Sequence, residues 1–329
     1  MEKRILAVNF GGLGDEILFL PTLISLKKEF PESKITLALE SRSKGISQLT
    51  DVVDDMIFVD IKTGNKYKEL LKLIQKGFTG KYDIMVSSGA SPFISVIEFL
   101  TGIPKRYGYD TGLLSRLLLT KAVPLNKNQY AAKMYHDLVS PITEYKTELP
   151  QIVADTVEKQ ANTVLIHPGV SLMSKRKGCI KSITSKEWAD LIDRLSAYGK
   201  RVILAGGPDD EECIKEIEQY SKTHAYENYY GKTKNLRDLA NLIASSEKFV
   251  CSDSAPLHIA VALGVRTYPF FGPTDDKKLV PEADFVKPLK AKDECPIKPC
   301  LWEHRQQSCR ELACLNYNFG ELARLICED

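Results

Sequence analysis

The sequence lacks the features that define several large classes of protein. None of its apolar runs approaches the roughly 20 residues that a membrane-spanning helix needs, and the start Met1-Glu2-Lys3-Arg4 does not resemble a signal peptide. The 45 basic residues are nearly balanced by 43 acidic ones, which gives a net charge of +2. Proteins that bind nucleic-acid phosphates are usually more basic. These absences predict a cytoplasmic protein that does not bind nucleic acid.

Three short catalytic motifs are missing as well. The chain contains no Asp-x-Asp, no Walker phosphate-binding loop and no His-Glu-x-x-His. An enzyme that holds a nucleotide through a divalent metal normally shows clustered acids at the end of a strand. The one such cluster, Asp209-Asp210-Glu211-Glu212, looks like the acidic first turn of a helix. We therefore expect no metal and no cofactor in the catalytic centre.

Short apolar runs alternate with amphipathic stretches along the 329 residues, which is typical of an α/β fold with parallel sheets. The pattern predicts strands over residues 4–10, 34–39, 55–60, 82–87, 163–167, 200–205, 225–230, 248–252 and 265–270. Helices are predicted over residues 15–30, 66–76, 92–101, 185–198, 209–222, 235–245, 255–263 and 319–327. The polar stretch 144–162 separates two such series and is interpreted as a linker. We expect one domain over residues 1–155, a second over 156–316 and a final helix within 317–329.

The first candidate site follows the first predicted strand, where Gly11-Gly12-Leu13-Gly14 precedes Asp15 at the start of a helix. A dinucleotide fingerprint would need Gly or Ala where Ile17 stands, and only Glu40 keeps that alternative open. Asp15 could instead be a general base that takes a proton from an acceptor hydroxyl. The simpler alternative is that Asp15 only caps the helix.

Two further candidate sites lie in the second half of the chain. Asp253-Ser254-Ala255-Pro256 ends a predicted strand and starts a helix, where free backbone N–H groups suit a diphosphate, although Asp253 or Ser254 could be a simple cap. The turn Phe271-Gly272-Pro273-Thr274-Asp275 ends the next strand and should share the same edge of the sheet. Gly169, the basic run Ser174-Lys175-Arg176-Lys177 and Lys181 follow the first strand of this half and could clamp a diphosphate.

In this order the motifs resemble glycosyltransferase family 9, the ADP-heptose:lipopolysaccharide heptosyltransferases, over nearly the whole chain. The resemblance also includes Leu18, Pro21 and Leu26 ahead of Phe30-Pro31, Arg106-Tyr107-Gly108-Tyr109-Asp110, His167-Pro168-Gly169, Lys181 before Trp188, and Gly206-Gly207-Pro208. It implies a GT-B fold, with two Rossmann-like α/β domains facing a central cleft. It also implies an inverting, metal-independent transfer of a sugar, with heptose from ADP-heptose as the expected donor. The expected acceptor is the lipopolysaccharide core or another cell-envelope glycan or glycolipid.

The resemblance also assigns roles to residues. It makes Asp15 the catalytic base beside the cleft loop of Gly11, Gly12 and Gly14. The implied donor-binding residues are Gly169, Lys181, Asp253, Ser254, Ala255, Pro256, His258, Gly272 and Thr274. Two departures stand out: Ala255 replaces the usual Gly, and Ile183-Thr184 replaces the commoner Trp-Pro after the lysine. Because of the second departure, Lys175 and Lys177 rival Lys181 as the phosphate ligand.

Other functions and two local features stay open at this stage. The alternatives are a nucleotide-dependent epimerase or dehydrogenase, and a non-catalytic sugar-nucleotide-binding protein. The apolar stretch 112–119 is predicted to be a buried helix; otherwise it would lie at the inner face of the membrane and help to reach a lipid-linked acceptor. Cys295, Cys300, Cys309 and Cys314 crowd into 20 residues before the last helix. We rank free or partly oxidised thiols ahead of a structural metal there, because the spacing lacks paired Cys-x-x-Cys ligands.

Overall fold

Strands and helices alternate along residues 2–301 and 309–329, which the computed structural model describes, and all paired strands run parallel. They form two sheets, one in each of two units, Met1–Val153 and Ala154–Asp329. The predicted α/β fold with parallel sheets is confirmed. Each unit has its own apolar core, as expected of an independent domain.

The first unit is built on a six-stranded sheet in the order β3-β2-β1-β4-β5-β6. Its strands are β1 Arg4–Val8, β2 Lys34–Leu39, β3 Asp55–Phe58, β4 Ile84–Ser87, β5 Lys105–Tyr109 and β6 Lys121–Val123. Its helices are α1 Leu13–Glu29, α2 Lys66–Thr79, α3 Pro92–Leu100, α4 Leu113–Leu118 and α5 Ala131–His136. The central strands read as unbroken apolar runs because a parallel sheet with helices on both faces is buried on both sides. Leu6 of β1, for example, lies between Thr36 and Met85 and is fully buried.

The second unit has a five-stranded sheet in the order β11-β10-β7-β8-β9. Its strands are β7 Gln160–His167, β8 Arg201–Leu204, β9 Glu227–Asn228, β10 Ser246–Ser252 and β11 Arg266–Phe270. Its helices are α6 Leu172–Arg176, α7 Ser185–Ala197, α8 Glu211–Tyr220, α9 Leu236–Ser245, α10 Ala255–Ala262, α11 Asp276–Leu279 and α12 Phe319–Glu328. Edge-to-face contacts of Trp188 and Tyr317 with Phe270, at 5.0 and 4.8 Å between ring centres, join α7 and the segment before α12 to the sheet.

Two sequence-based expectations for the first unit need correction. The strands β5 and β6 were not predicted as strands, and the expected buried helix over 112–119 is wrong. A helix does form at Leu113–Leu118, but Leu113 and Leu117 are 72% and 69% exposed. None of the described helices is both long enough and apolar enough to span a membrane.

Candidate active site

Asp15 lies in the first turn of α1, directly after the glycine turn that follows β1. Its Oδ2 accepts a hydrogen bond from the backbone N–H of Gly12 at 2.7 Å, so Asp15 does cap the helix. A Cβ at position 11 would lie only 2.1 Å from the Cβ of Asp15, and Gly11 is therefore required for this packing. Gly14 stands between them in the first turn of α1. One carboxylate oxygen is thus fixed by the cap, while the other points elsewhere.

The second oxygen of Asp15 meets a residue that the sequence did not indicate. The hydroxyl of Tyr135, in α5, donates to Asp15 Oδ1 at 3.3 Å, and the Tyr135 ring packs edge-to-face on Phe19 of α1. Burial raises the pKa of Tyr135 well above its usual value, and the Asp15 charge adds to this effect. Burial likewise raises the pKa of the adjacent Glu16, with the Asp15 charge as the next cause. Asp15 therefore lies beside two groups, Tyr135 and Glu16, whose pKa values are raised.

Glu40 decides against the dinucleotide alternative. It follows β2, where an acid would hold a ribose, but its carboxylate is fully buried and already bound. Oε2 accepts from Arg42 Nε at 2.6 Å, and Oε1 accepts from the backbone N–H of Lys62 at 2.9 Å. Arg42 in turn donates to the carbonyl of Gly11 at 3.0 Å. Glu40 therefore supports the glycine turn instead of presenting a free carboxylate to a ligand.

In the second unit, the loops after β7 and β10 are joined by serine hydroxyls. Ser182 and Ser252 lie 2.7 Å apart, and both donate to the carbonyl of Pro168, at 3.1 and 2.8 Å. The indole N–H of Trp188 donates to Ser182 at 3.0 Å. This network fixes the segment that carries Lys181 against the end of β10.

Lys181, Asp253 and Thr274 meet at one point of this unit. The Nζ of Lys181 lies 2.7 Å from Asp253 Oδ2, and the Thr274 hydroxyl donates to the same oxygen at 2.8 Å. The two charged side chains are only 13% and 4% exposed. Three of the predicted donor-binding residues, from three separate loops, are therefore in direct contact.

The start of α10 is open at this point. Ser254 stands at the N-cap position, but its side chain makes no capping hydrogen bond and contacts only the Ser252 carbonyl at 3.4 Å. Ala255 and Pro256 form the first turn, and His258 is buried behind them. Because Asp253 bonds to Lys181 and Thr274, the simple-cap interpretation fails for both side chains. Pro256 has no N–H, and the Leu257 N–H donates to the Ser254 carbonyl at 3.0 Å. The N–H groups of Ser254 and Ala255 are therefore the ones that could meet an anion.

The loop after β7 is held by Asp210. This residue does lie at the start of a helix, as predicted, but it is buried and accepts from the N–H of Gly207 at 2.9 Å. A Cβ at Gly169 would lie 2.2 Å from its carboxylate. Lys175 lies 3.8 Å from Asp210 and donates to the Asp209 carbonyl at 2.6 Å. The structure thus directs Lys175 towards Asp209 and Asp210, apart from the Lys181 cluster, and Lys177 is exposed after α6.

His167, at the end of β7, belongs to the same group. Its Nε2 lies 3.8 Å from Asp210 Oδ2. Burial lowers the pKa of His167, and the Asp210 charge only partly offsets that effect. A neutral imidazole therefore faces the Asp210 carboxylate.

The cysteine segment supports the turn that carries Gly272 and Thr274. The backbone N–H groups of Cys300 and Leu301 donate to the Pro273 carbonyl at 2.9 and 3.2 Å. The Tyr317 hydroxyl donates to the Phe271 carbonyl at 3.2 Å. A Cβ at Gly272 would lie 3.4 Å from the Ile180 carbonyl. The segment therefore fastens this turn as well as the last helix.

The cysteines themselves lie within electrostatic range of one another. Burial raises the pKa of Cys314 to about 11, and charges on Cys295, Cys300 and Cys309 act in the same direction. Across residues 2–301 and 309–329, no three His, Cys, Asp or Glu side chains are arranged as a metal site.

Two parallel α/β units, with polar residues gathered where strands end, define the class of α/β proteins that bind nucleotide ligands at the carboxyl edge of a sheet. The chain belongs to glycosyltransferase family 9 (heptosyltransferase), whose family model matches residues 70–311. It is thus a glycosyltransferase, as the sequence motifs predict. It is 26% identical to lipopolysaccharide heptosyltransferase 3 of Escherichia coli over 80% of this chain and 81% of that protein.

Solved structures show the same fold. The family 9 glycosyl transferase of Veillonella parvula superimposes with a TM-score of 0.74 at 20% identity, over 99% of this chain and 96% of that one. The E. coli heptosyltransferase WaaC, solved with ADP-2-deoxy-2-fluoro heptose, gives a TM-score of 0.68 at 19% identity, over 88% of this chain and 93% of that one. The fold is therefore that of the GT-B heptosyltransferases, with two Rossmann-like domains.

Proposed function

We propose that this chain transfers a heptose from ADP-heptose to the lipopolysaccharide core or another cell-envelope glycan. The name of the E. coli relative supports the acceptor class, and the ligand of the WaaC structure supports the donor. The observation that carries the mechanism is the Asp15 carboxylate, which stands at the start of α1 with both oxygens oriented by donors. The cysteines Cys179, Cys213 and Cys251, outside any disulfide, support a cytoplasmic location.

In the proposed reaction, Asp15 removes the proton of an acceptor hydroxyl. The hydroxyl oxygen then attacks the anomeric carbon of the heptose while the bond from that carbon to the diphosphate oxygen breaks. The products are the new glycosidic bond, ADP and protonated Asp15. This single displacement inverts the anomeric configuration and needs no protein nucleophile. Asp15 suits the role because hydrogen bonds from Gly12 and Tyr135 fix the position of its carboxylate.

The second unit is proposed to hold the donor. Lys181 and the backbone N–H groups of Ser254 and Ala255 supply positive charge for the leaving diphosphate. Asp253 and Thr274 would contact the sugar and its phosphates, beside Ser254 and the Gly169 turn. These groups can perform the role that a divalent metal has in other transferases. We therefore expect transfer to continue in excess EDTA, and dependence on added Mg²⁺ or Mn²⁺ would overturn this point.

Replacing Asp15 by Asn tests the base directly. Asn keeps an oxygen that can accept from Gly12 but cannot take the proton. The D15N variant should lose about two to four orders of magnitude in turnover, in line with general-base contributions, while its affinity for ADP-heptose stays near that of the wild type. Turnover is measured with purified full-length protein, and the thermal midpoint without ligand checks the helix cap.

The same experiment separates the alternative functions. Wild-type turnover in D15N, with an unchanged thermal midpoint, would reduce Asp15 to a helix cap. If the protein binds ADP-heptose but releases no ADP with any of the acceptor extracts, it is a non-catalytic sugar-nucleotide-binding protein. Binding of NAD(H) would revive the dehydrogenase alternative.

A further inference from the structure

Exposed apolar side chains concentrate on one part of the first unit. Tyr67, Leu71 and Phe78 form a stripe along α2, at positions separated by whole helical turns. They are 79%, 66% and 72% exposed. The other exposed large apolar side chains of this region lie on α3 and α4: Phe93, Phe99, Leu100, Leu113, Leu114 and Leu117. Nine of the sixteen such side chains found among the described residues thus fall within fifty-one positions of the chain.

The order of the strands explains why these helices share one face. From β3 the chain returns past β1 to β4 and then moves outward to β5 and β6, so α2, α3 and α4 connect strands in the same direction. Connections of one hand then place them on the same side of the sheet. They do pack in sequence, α2 on α3 and α3 on α4. The Phe78 ring, for instance, lies against Gly102 just after α3. We call the outer surface of α2, α3 and α4 the apolar face.

Positive charge surrounds the apolar face. Its basic residues are Lys66, Lys68, Lys72, Lys76, Lys105, Arg106, Arg116 and Lys121. Lys72 pairs with Glu69 at 3.5 Å and Arg116 with Asp110 at 2.8 Å. In the described ranges, no carboxylate lies within ion-pair distance of Lys66, Lys68 or Lys76. The acidic residue of α3, Glu98, is fully buried and adds no charge to the surface.

We propose that the apolar face docks the chain on a bilayer that carries anionic phospholipids. A monomer seldom exposes so many neighbouring large apolar side chains without a partner for them. Lysines around an apolar surface match the headgroup region, where the phosphates meet the cations and the apolar side chains enter the acyl boundary. Two copies placed face to face would instead oppose like charges. This attachment goes beyond the sugar transfer proposed above and does not require it.

Flotation of the full-length protein with lipid vesicles tests the proposal. The protein should float with vesicles of phosphatidylcholine containing about 30% phosphatidylglycerol, and little with phosphatidylcholine alone. About 0.5 M NaCl should release much of it, because salt screens the lysines. Replacing Phe93, Leu113 and Leu117 together by Ser should lower the partition coefficient at least about tenfold. Replacing Lys66, Lys68 and Lys76 together by Gln should lower the partition coefficient by a similar factor and make flotation less sensitive to NaCl.

Matched controls lie in the second unit. Tyr198, Tyr220 and Leu325 are also exposed apolar side chains, at 53%, 50% and 44%, and their joint replacement by Ser should leave flotation unchanged. For the charge variant, the control replaces the exposed lysines Lys186, Lys222 and Lys234 by Gln, which should also leave flotation unchanged. Thermal midpoints and ADP affinity, measured on every variant, show separately whether the fold and the donor site are intact.

Three results would overturn the proposal. One is a wild-type protein that stays behind when anionic vesicles float. Another is equal flotation of the wild type and both face variants. The third is a dimer, seen by light scattering, that the apolar variant abolishes while no protein binds vesicles; the face would then be a contact between copies. None of these results bears on whether the chain transfers a sugar.

Discussion

At the residue scale, the pair of Lys181 and Asp253 is the most informative feature of the second unit. Both groups are buried beside Thr274, so removing one partner leaves the other uncompensated. The ammonium is held in place without a ligand. A donor diphosphate would therefore meet a cation whose side-chain entropy is already restricted, which favours binding.

Replacing Lys181 by Met should weaken binding of ADP more than replacing Lys175 by Met. For Lys181, losing a charge-assisted hydrogen bond should raise the dissociation constant of ADP about 10- to 100-fold. Lys175 faces Asp209 and Asp210, so its loss should change the constant less than about threefold. Calorimetric titration of the full-length variants with ADP measures both.

Each variant needs its own stability check, since among the described residues K181M leaves the Asp253 carboxylate only the Thr274 hydroxyl. A folded K181M with unchanged affinity, or a larger effect in K175M, would transfer the phosphate role to Lys175. That is the alternative the sequence left open.

Most of the residues that the sequence indicated lie in the loop after a strand or at the start of the helix that follows it, and Lys181, which comes after α6, is an exception. Asp15, Asp253 and Thr274 could be selected because the ends of parallel strands meet at one edge. Tyr135 and Asp210 could not, since their partners Asp15 and Gly169 lie far away in the sequence. The sequence of an acidic helix start such as 209–212 also does not show which of its carboxylates face solvent and which face a loop.

At the scale of the element, α3 carries a buried acid with a physical consequence. The side-chain oxygens of Glu98 lie against Gly108, and no described residue gives them a hydrogen bond of standard geometry. Burial raises the pKa of Glu98 from its ordinary 4.5 to about 8, with Ser87 and Arg106 opposing the change. The folded state therefore holds a proton that the unfolded chain releases between these two values.

This linkage predicts a loss of stability as the pH rises from about 4.5 to 8. The free energy of unfolding should fall there by up to about 1.4 kcal/mol per pH unit relative to a variant without the acid. Glu98→Gln should remove that slope and be more stable than the wild type at pH 8. Urea unfolding of both proteins across this range measures the difference.

The exposed acid Glu32 offers the matched control, and Glu32→Gln should follow the wild type across the range. Parallel curves for wild type and Glu98→Gln would mean that Glu98 is ionised in the fold through contacts other than those seen here.

The cysteine segment gives a second prediction at this scale. Purified without a metal-affinity step, the protein should contain less than about a tenth of an equivalent of zinc or iron, since a structural site would retain its metal. Cys295, Cys309 and Cys314 should then react with a thiol reagent after unfolding. Elemental analysis decides the matter, and a full equivalent of either metal would favour the structural site that we ranked second.

Elements were predictable where apolar periodicity was strong and ambiguous where it was not. The strand β5 reads Lys-Arg-Tyr-Gly-Tyr, and β6 has three residues, so neither carries the apolar signal of a buried strand. Helix α4, in contrast, has a strong apolar signal that still does not show where the helix lies. Its leucines indicate an apolar environment, but the sequence cannot say whether a core or an outside partner provides it.

At the scale of the whole molecule, each unit has its own sheet and its own core, and this should be visible in thermal unfolding. Scanning calorimetry of the full-length protein should resolve two transitions, because two domains need not unfold together. ADP at about 100 times its dissociation constant should raise only one of them, by about 5–10 °C. K181M should abolish that shift and D15N should retain it.

A single transition would show that the units unfold as one body. A shift of both transitions with ADP would mean that the nucleotide contacts the first unit as well, against the assignment of donor binding to the second.

The apolar face on α2, α3 and α4 also bears on the kinetics of the reaction. A protein held at a bilayer meets embedded molecules by lateral diffusion, and a tethered encounter has an effective concentration of about the millimolar range. A weak intrinsic affinity for the acceptor is then sufficient. Loss of the lysines or the exposed leucines should consequently raise the KM for an acceptor carried in vesicles and leave the KM for a water-soluble fragment of it unchanged. The three helices would act as a specificity element that never touches the sugar.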